Sequence, residues 1–335
     1  MESPHTVNNP DASVVICTYN RAPMLRIALK SLISQQTRGE FSYEVVVIDD
    51  RSSDETPSVV EEITALASMP VRYFREEGRG VAAARNRGIA EALGEWVAYT
   101  DDDQWNESDW LYELVIAARN AGVDCVGGVV DLELPPEVNF PLTDVTSSIL
   151  GKKRNPEGRI TSLMACPGTG NVMFRRSVFD KVGVFNNDLH WGGEDADLML
   201  RVLQAGVAVW FTPNSVTHHM IPPYRVSETY FRWASLRVGV ALAEVDARVR
   251  GKGKMAFLCV ARIGQALIVN IPRLLIAVVS GDRGKVVETK CLLWRAKTYV
   301  RHALRTLAPK LFAQEKFYEN LQFRGERSTL ASKKN

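Results

Sequence analysis

The sequence predicts an α/β protein with a doubly wound, mostly parallel sheet, followed by a helical region of different charge. Three observations carry this expectation. Short β-branched runs alternate with segments of helical spacing, polar residues cluster just past the ends of those runs, and the composition turns basic after Pro222-Pro223. A chain of 335 residues can hold one large domain with an appendage, or two domains.

The runs Ser13–Cys17 (SVVIC) and Glu44–Ile48 (EVVVI) read as buried parallel strands. Between them Ala22–Gln36 groups Leu25, Ala28, Leu29 and Leu32 on one helical face. Asp54–Ala67 is a second helix, Val71–Phe74 a strand, Val81–Leu93 a third helix and Trp96–Tyr99 a strand. This alternation implies right-handed crossovers. Helix Asp109–Ala121 and strand Val126–Leu132 follow, and residues 133–165 show no firm period, which marks them as a functional or mobile loop. Strand Asn171–Phe174, helices Ser177–Val182 and Asp195–Ala205 and strand Val207–Thr212 complete a main domain over 13–224, divided at 105/106 into two halves. Residues 1–12 and 328–335 are expected to be tails around it and the helical region 225–327.

Residues 225–335 carry 22 Lys/Arg against 8 Asp/Glu, whereas 1–224 carry 19 against 31. The acidic part can build a metal site. The basic part can face an anion, such as an anionic membrane surface, or form a packed helical appendage or a homodimer surface. It lacks the regular aromatic interleaving of a nucleic-acid stacking platform, so no nucleic-acid partner is expected. The five cysteines are widely spaced without a CxxC pair, which predicts free thiols in a reducing, cytoplasmic setting. The first 12 residues lack a signal peptide's apolar core. No long uninterrupted apolar run appears; Ala266–Ser280 is broken by Asn270, Pro272 and Arg273, so no spanning helix is expected.

The triplet Asp101-Asp102-Asp103 ends the short, largely apolar stretch Glu95–Thr100. Three adjacent carboxylates repel one another, and a hard cation such as Mn2+ or Mg2+ that also binds a diphosphate would relieve the repulsion. Thr18, Tyr19, Asn20 and Arg21 end the first strand and Asp50 the second, where a nucleotide would sit. Arg79 and Arg85 flank the small-residue stretch from Gly80 to Ala84 and could reach phosphates or base. Asp195 precedes Leu198 and Met199 by three and four residues, so it shares their inward face at the first turn of its helix.

Together SVVICTYNR, VVVIDDRSSD, GVAAARNRG, EWVAYTDDD and GGEDADLMLRV resemble, in order and spacing, the family 2 glycosyltransferases of GT-A fold. The resemblance covers about residues 13–224. It implies a nucleotide-diphospho-sugar donor, a divalent metal and inversion at the anomeric carbon. UDP is the carrier the family uses most often. Asp103 and Asp101 resemble the family's metal motif, Asp103 as the direct ligand and Asp101 on ribose or a metal-bound water; Asp102 between them would contact the nucleotide sugar. His218 or His219 would add a metal ligand. Asp195 resembles the general base, with Glu194 and Trp191 beside it as acceptor contacts. Gly168, Thr169, Gly170 and Asn171 resemble the acceptor-side loop. The acceptor would be a glycan or a lipid-diphosphate-linked sugar of a cell-surface polysaccharide, reached at the inner face of the membrane. A sugar nucleotidyltransferase would carry a G-x-G-x-R type loop where this chain has Thr18–Pro23, and a non-catalytic binding protein would lack an acidic group of the metal motif or the base.

Overall fold

The computed structural model describes residues 9–189, 192–310 and 312. Its packing divides the described chain into two units, the first formed by residues up to 133 with 152–188 and 194–220, the second by 134–151, 189–193 and the residues from 221 on. Residues 1–8, Trp191 and the expected tail 328–335 lie outside the described residues.

The first unit is built on a sheet of nine described strands. They are β1 (Ala12–Thr18), β2 (Tyr43–Asp49), β3 (Val71–Arg75), β4 (Trp96–Asp101), β5 (Gln104–Asn106), β6 (Cys125–Glu133), β7 (Gly158–Ile160), β8 (Val172–Arg175) and β9 (Val209–Met220). The order is β3-β2-β1-β4-β8-β6-β9-β5, with β7 also on β9. Strands β1, β2, β3, β4, β6 and β9 run one way, and β5, β7 and β8 run against them. The mostly parallel α/β sheet is therefore as predicted, with β8 inserted antiparallel between β4 and β6.

Strand alternation sends neighbouring residues to opposite faces, and helices cover both. Val14, Ile16, Val45, Val47 and Ala98 meet Leu25, Leu29, Ile63, Leu111 and Leu114 on one side. These come from helices α1 (Ala22–Ile33), α2 (Thr56–Leu66) and α4 (Trp110–Ala121). On the other side Val15, Val46, Val97 and Tyr99 pack with α3 (Val81–Glu91), α6 (Ser177–Val182) and α7 (Glu194–Gln204). Gly88 lets α3 settle on the sheet, because a Cβ there would lie 2.3 Å from a Val15 methyl.

Three sequence expectations change. Strand β9 extends to Met220 rather than ending at Thr212, since its later buried positions are Ser215, Thr217 and His219, polar residues that give no apolar signal. Strand β5, only three residues long, was not expected. Segment 133–165 contains a short helix α5 (Asp144–Ile149), started by a Thr143/Thr146 capping box, and strand β7.

The second unit contains α5, α8 (Glu228–Val245), α9 (Lys252–Gln265), α10 (Ile271–Val279) and α11 (Arg283–Leu307). Ser227 caps α8 by accepting from Tyr230 N at 3.2 Å, and Asp282 caps α11 by accepting from Lys285 N at 3.0 Å. A π turn at Ala266–Asn270 joins α9 to α10, so Lys252–Val279 is one continuous helix of 28 residues. That turn lies just before Pro272 and carries the helix past a residue with no N–H to donate. By length and composition alone the helix is long and apolar enough to cross a membrane, despite the interruptions at Asn270, Pro272 and Arg273.

Helices α8 and α11 cross at Gly239, where a Cβ would lie 2.1 Å from Thr298 Oγ1 and 2.3 Å from the Arg295 carbonyl oxygen. Gly239→Val should therefore destabilise the protein by about 1–3 kcal/mol, the usual range for overpacking, in urea unfolding. Gly264 in α9 faces open space, and Gly264→Ala should instead raise stability by about 0.5–1 kcal/mol.

Candidate active site

The ends of β1, β2 and β4 converge, because Cys17 pairs with Asp101 and Thr18 with Asp49 in parallel register. The Asp101–Asp103 triplet emerges at that edge. The sequence reading assigned relief of its repulsion to a cation; in the structure arginines supply much of the positive charge. Arg21 Nη1 donates to Asp102 Oδ1 at 2.6 Å and to Asp103 Oδ2 at 2.9 Å. Thr18 Oγ1 donates to Asp102 Oδ2 at 2.8 Å. Burial lifts Asp102 to about 6, opposed by Arg21 and reinforced by Asp103. Thr18, Arg21 and Asp102, expected at the donor, are thus bonded to one another.

Arg85 is likewise buried. Its Nη1 donates to Glu194 Oε1 at 2.6 Å and its Nη2 lies 3.4 Å from Asp101 Oδ1, so one guanidinium joins the triplet to the first turn of α7. Small residues Ala82, Ala83 and Ala84 bring α3 close enough for this reach.

The histidines separate by strand alternation. Strand β5 pairs with β9 so that Gln104 faces His219 and Trp105 faces His218. His218 stacks on Trp105 with centroids 3.9 Å apart, and its Nε2 lies 2.8 Å from Glu107 Oε1. His219 Nε2 lies 3.4 Å from Asp103 Oδ2. The structure therefore brings His219 to Asp103 and sends His218 and Asp101 to other partners. No cluster of three or more candidate metal ligands occurs among the described residues.

Glycines 192 and 193 have φ of +88° and +94° and lead into α7. Glu194 is buried on Arg85, while Asp195 is half-buried. Asp195 Oδ1 accepts from Ala196 N at 2.7 Å, and a Cβ on Gly168 would come 3.2 Å from Asp195 Oδ2. A Cβ on Gly170 would lie 2.5 Å from Gln104 Nε2 and 3.3 Å from Asp101 Oδ2. The loop Pro167–Asn171 thus runs past both acidic centres, and Thr169 within it is buried. Burial raises the Asp195 carboxyl above its ordinary value, with neighbouring Glu194 adding to the effect. Asn171, expected as an acceptor contact, is spent in the core. It accepts from Trp110 Nε1 at 2.9 Å and donates to the carbonyls of Val129 and Ser215 at 2.9 and 3.1 Å.

Toward β2, Tyr19 is exposed. Asn20 adopts φ +51° and ties the ends of β1 and β2 together, donating from N to Ser52 Oγ and accepting from Ser53 N. Asp50 Oδ2 accepts from Gly80 N at 3.0 Å, while its Oδ1 is buried with no hydrogen-bond partner. Arg79 is exposed and pairs with Glu76 at 2.9 Å.

The model of Glycosyl transferase family 2 matches residues 13–183, half of the chain. The chain belongs to this family. A second model, described as the N-terminal domain of galactosyltransferase, matches residues 159–224. Glycosyltransferase AglE of Haloferax volcanii is 30% identical over 64% of this chain and 68% of its own length. Chondroitin synthase of Escherichia coli is 27% identical over 65% of this chain but only 36% of that longer protein. Succinoglycan biosynthesis protein ExoM of Rhizobium meliloti is 26% identical over 67% of this chain and 71% of its own. Among solved structures, mannosyltransferase PcManGT of Pyrobaculum calidifontis, in complex with GDP-Man and Mn2+, shares the fold at a TM-score of 0.57, with 19% identity and 88% of each chain covered. The fold of this glycosyltransferase is thus GT-A.

Three residues that the sequence reading passed over hold parts of the candidate site or its flank. Gln104 Oε1 accepts from Asp101 N at 3.0 Å and holds the triplet's backbone. Glu107 holds His218. Lys153, from the segment without a period, donates to the Met164 carbonyl at 2.7 Å; burial lowers its pKa, while Cys166 and Asp195 oppose that shift. Only Gln104 carried a signal, its place directly after the triplet.

Replacing Arg85 by Met should leave Glu194 without its buried counter-charge and cost about 3–5 kcal/mol in urea unfolding. Arg85→Lys should cost less, because it keeps the charge and loses the fork that spans both carboxylates.

Proposed function

We propose that the protein is a metal-dependent, inverting glycosyltransferase. It moves a sugar from a nucleotide-diphospho-sugar, with UDP as carrier, to a hydroxyl of a glycan or lipid-diphosphate-linked acceptor in cell-surface polysaccharide synthesis. The observation that carries this reading is the ion-paired chain Asp101–Arg85–Glu194, half-exposed at Asp101 and buried at Glu194, beside which Asp195 keeps a carboxylate oxygen against the open backbone of Gly168. The chondroitin synthase and succinoglycan relatives support polysaccharide synthesis. The five free cysteines accord with a reducing, cytoplasmic compartment.

A divalent ion would be held by Asp103 and His219, a carboxylate oxygen and an imidazole nitrogen 3.4 Å apart and suited to Mn2+ or Mg2+, in exchange for the bond that Arg21 now makes to the same Asp103 oxygen. Two protein ligands leave positions for diphosphate oxygens and water. Bound there, the ion would act as a Lewis acid on the departing diphosphate. The PcManGT and GalNAc-T7 structures, each with Mn2+, support this choice.

Asp50 Oδ1, buried without a partner, is the acceptor that a ribose hydroxyl or base N–H would satisfy. Asp195 removes the proton of the acceptor hydroxyl as it attacks the anomeric carbon, and Arg85 fixes the position of Glu194 beside it. Burial makes Asp195 a stronger base than an exposed carboxylate.

Asp195→Asn should lower turnover by about 100-fold or more with donor affinity nearly unchanged, measured by nucleotide release over a panel of nucleotide sugars and acceptors. Normal turnover in Asp195→Asn with loss in Glu194→Gln would exchange the two roles. Because Asp195 must be ionised to act, the acid limb of kcat/KM, which reports the free enzyme, should lie above the ordinary carboxylate value of about 4, with activity falling as pH drops through it. Asp103→Ala should abolish turnover and weaken binding of the nucleotide diphosphate with Mn2+; full activity in EDTA, or a product retaining the donor's anomeric configuration, would reject this mechanism.

A further inference from the structure

The continuous helix Lys252–Val279 rests on the second unit by a narrow stripe. Met255, Cys259, Asn270 and Ala277 are buried, the first two in a cluster with Tyr299 and Ala303 of α11. Much of the rest of its surface is exposed, and the exposed part is largely apolar. Phe257 is 71% exposed, Ile268 78% and Val279 89%, and Val260, Leu267, Leu275 and Ile276 are exposed between them. At about 1.5 Å per residue the strip extends about 42 Å. A strip of this length and character exceeds the scattered apolar residues of an ordinary surface.

Charge identifies what covers it. From Lys252 to Gly281 the chain has four basic residues, Lys252, Lys254, Arg262 and Arg273, and no acidic one. Arg262 is turned inward over the Tyr299 ring at 4.1 Å, while Lys252, Lys254 and Arg273 are exposed, as are Arg283 and Lys285 just beyond. Two copies meeting through this face would bring like charges together with no carboxylate on the strip to offset them. An anionic surface has the opposite charge, and acyl chains accept aliphatic side chains without shaped pockets.

The helix is long enough to span a bilayer, but its packing opposes that. Both α9 and α10 lie along α11, which carries seven basic residues and one acidic residue and could not follow into hydrocarbon.

We propose that the helix Lys252–Val279 lies flat in the interface of an anionic bilayer, its aliphatic strip inserted and Lys252, Lys254, Arg273, Arg283 and Lys285 at the headgroups. This stands independently of the catalytic reading. The test is co-sedimentation of the full chain with vesicles of phosphatidylcholine alone or with about 30% phosphatidylglycerol, within the anionic range such helices respond to. Binding should require the anionic lipid and weaken as salt rises without vanishing. A triple variant Ile268→Glu, Leu275→Glu and Ile276→Glu should abolish it while the circular dichroism spectrum stays unchanged. Lys252→Glu with Lys254→Glu should weaken it by more than about fivefold per residue, the effect of losing one basic contact. Should the triple variant not fold, Ile268→Cys carrying a polarity-sensitive fluorophore replaces it, and a blue shift on adding anionic vesicles is the result expected. Three outcomes would overturn the proposal: binding to neither vesicle, a dimer in light scattering that the triple variant dissolves, or reconstituted protein that resists alkaline carbonate extraction as a spanning helix would.

Discussion

The site depends on one electrostatic constraint: three carboxylates that follow one another at the end of β4 must be held close without separating the chain. Like charges about 4 Å apart repel by about 4 kcal/mol at the effective dielectric of a protein surface. Two arginines from different elements remove much of that penalty. Arg21 arrives from the end of β1, just before α1, whose first amide, Ala22 N, donates to Asp54 Oδ2 at 2.9 Å. Arg85 arrives from α3, which approaches the sheet through alanines and Gly88. The positions of α1 and α3 against β1 and β4 are thus tied to charge as well as to apolar burial.

The apolar architecture was legible because burial on both faces of a parallel sheet leaves continuous runs such as SVVIC and EVVVI. The acidic groups were legible by type and order. Their partners were not. Thr18, Arg21, Arg85 and Asn171 are polar residues at strand ends or helix starts, and sequence alone cannot say whether such a residue faces a ligand or a neighbour. In this chain they face neighbours. The second half of β9 escaped notice for a related reason, since its buried positions past Thr212 are Ser215, Thr217 and His219, held by contacts such as Thr217 Oγ1 to Asn106 Oδ1 at 2.6 Å.

The two units use polar burial differently. In the first, buried charge gathers at the C-terminal edge of the sheet. In the second, Asp246 accepts from Tyr299 Oη at 2.8 Å and pairs with Arg250 at 3.0 Å, and Arg262 covers the Tyr299 ring. That cluster joins α8, the turn after it, α9 and α11 in a unit whose apolar core is small. A network of this kind favours one packing of the helices over its alternatives, whatever its net contribution to stability.

The tandem His218-His219 has a consequence for how this chain can change over evolutionary time. Only one of the pair meets Asp103, because successive residues of β9 point to opposite faces. An insertion of one residue upstream, where β9 already shifts register against β6, would move His218 into the slot that His219 now fills. Doubling the residue keeps an imidazole at that slot through such an insertion, while Thr217 moves into the position that His218 now holds. The loss would fall on the stack with Trp105, a contact of packing rather than chemistry.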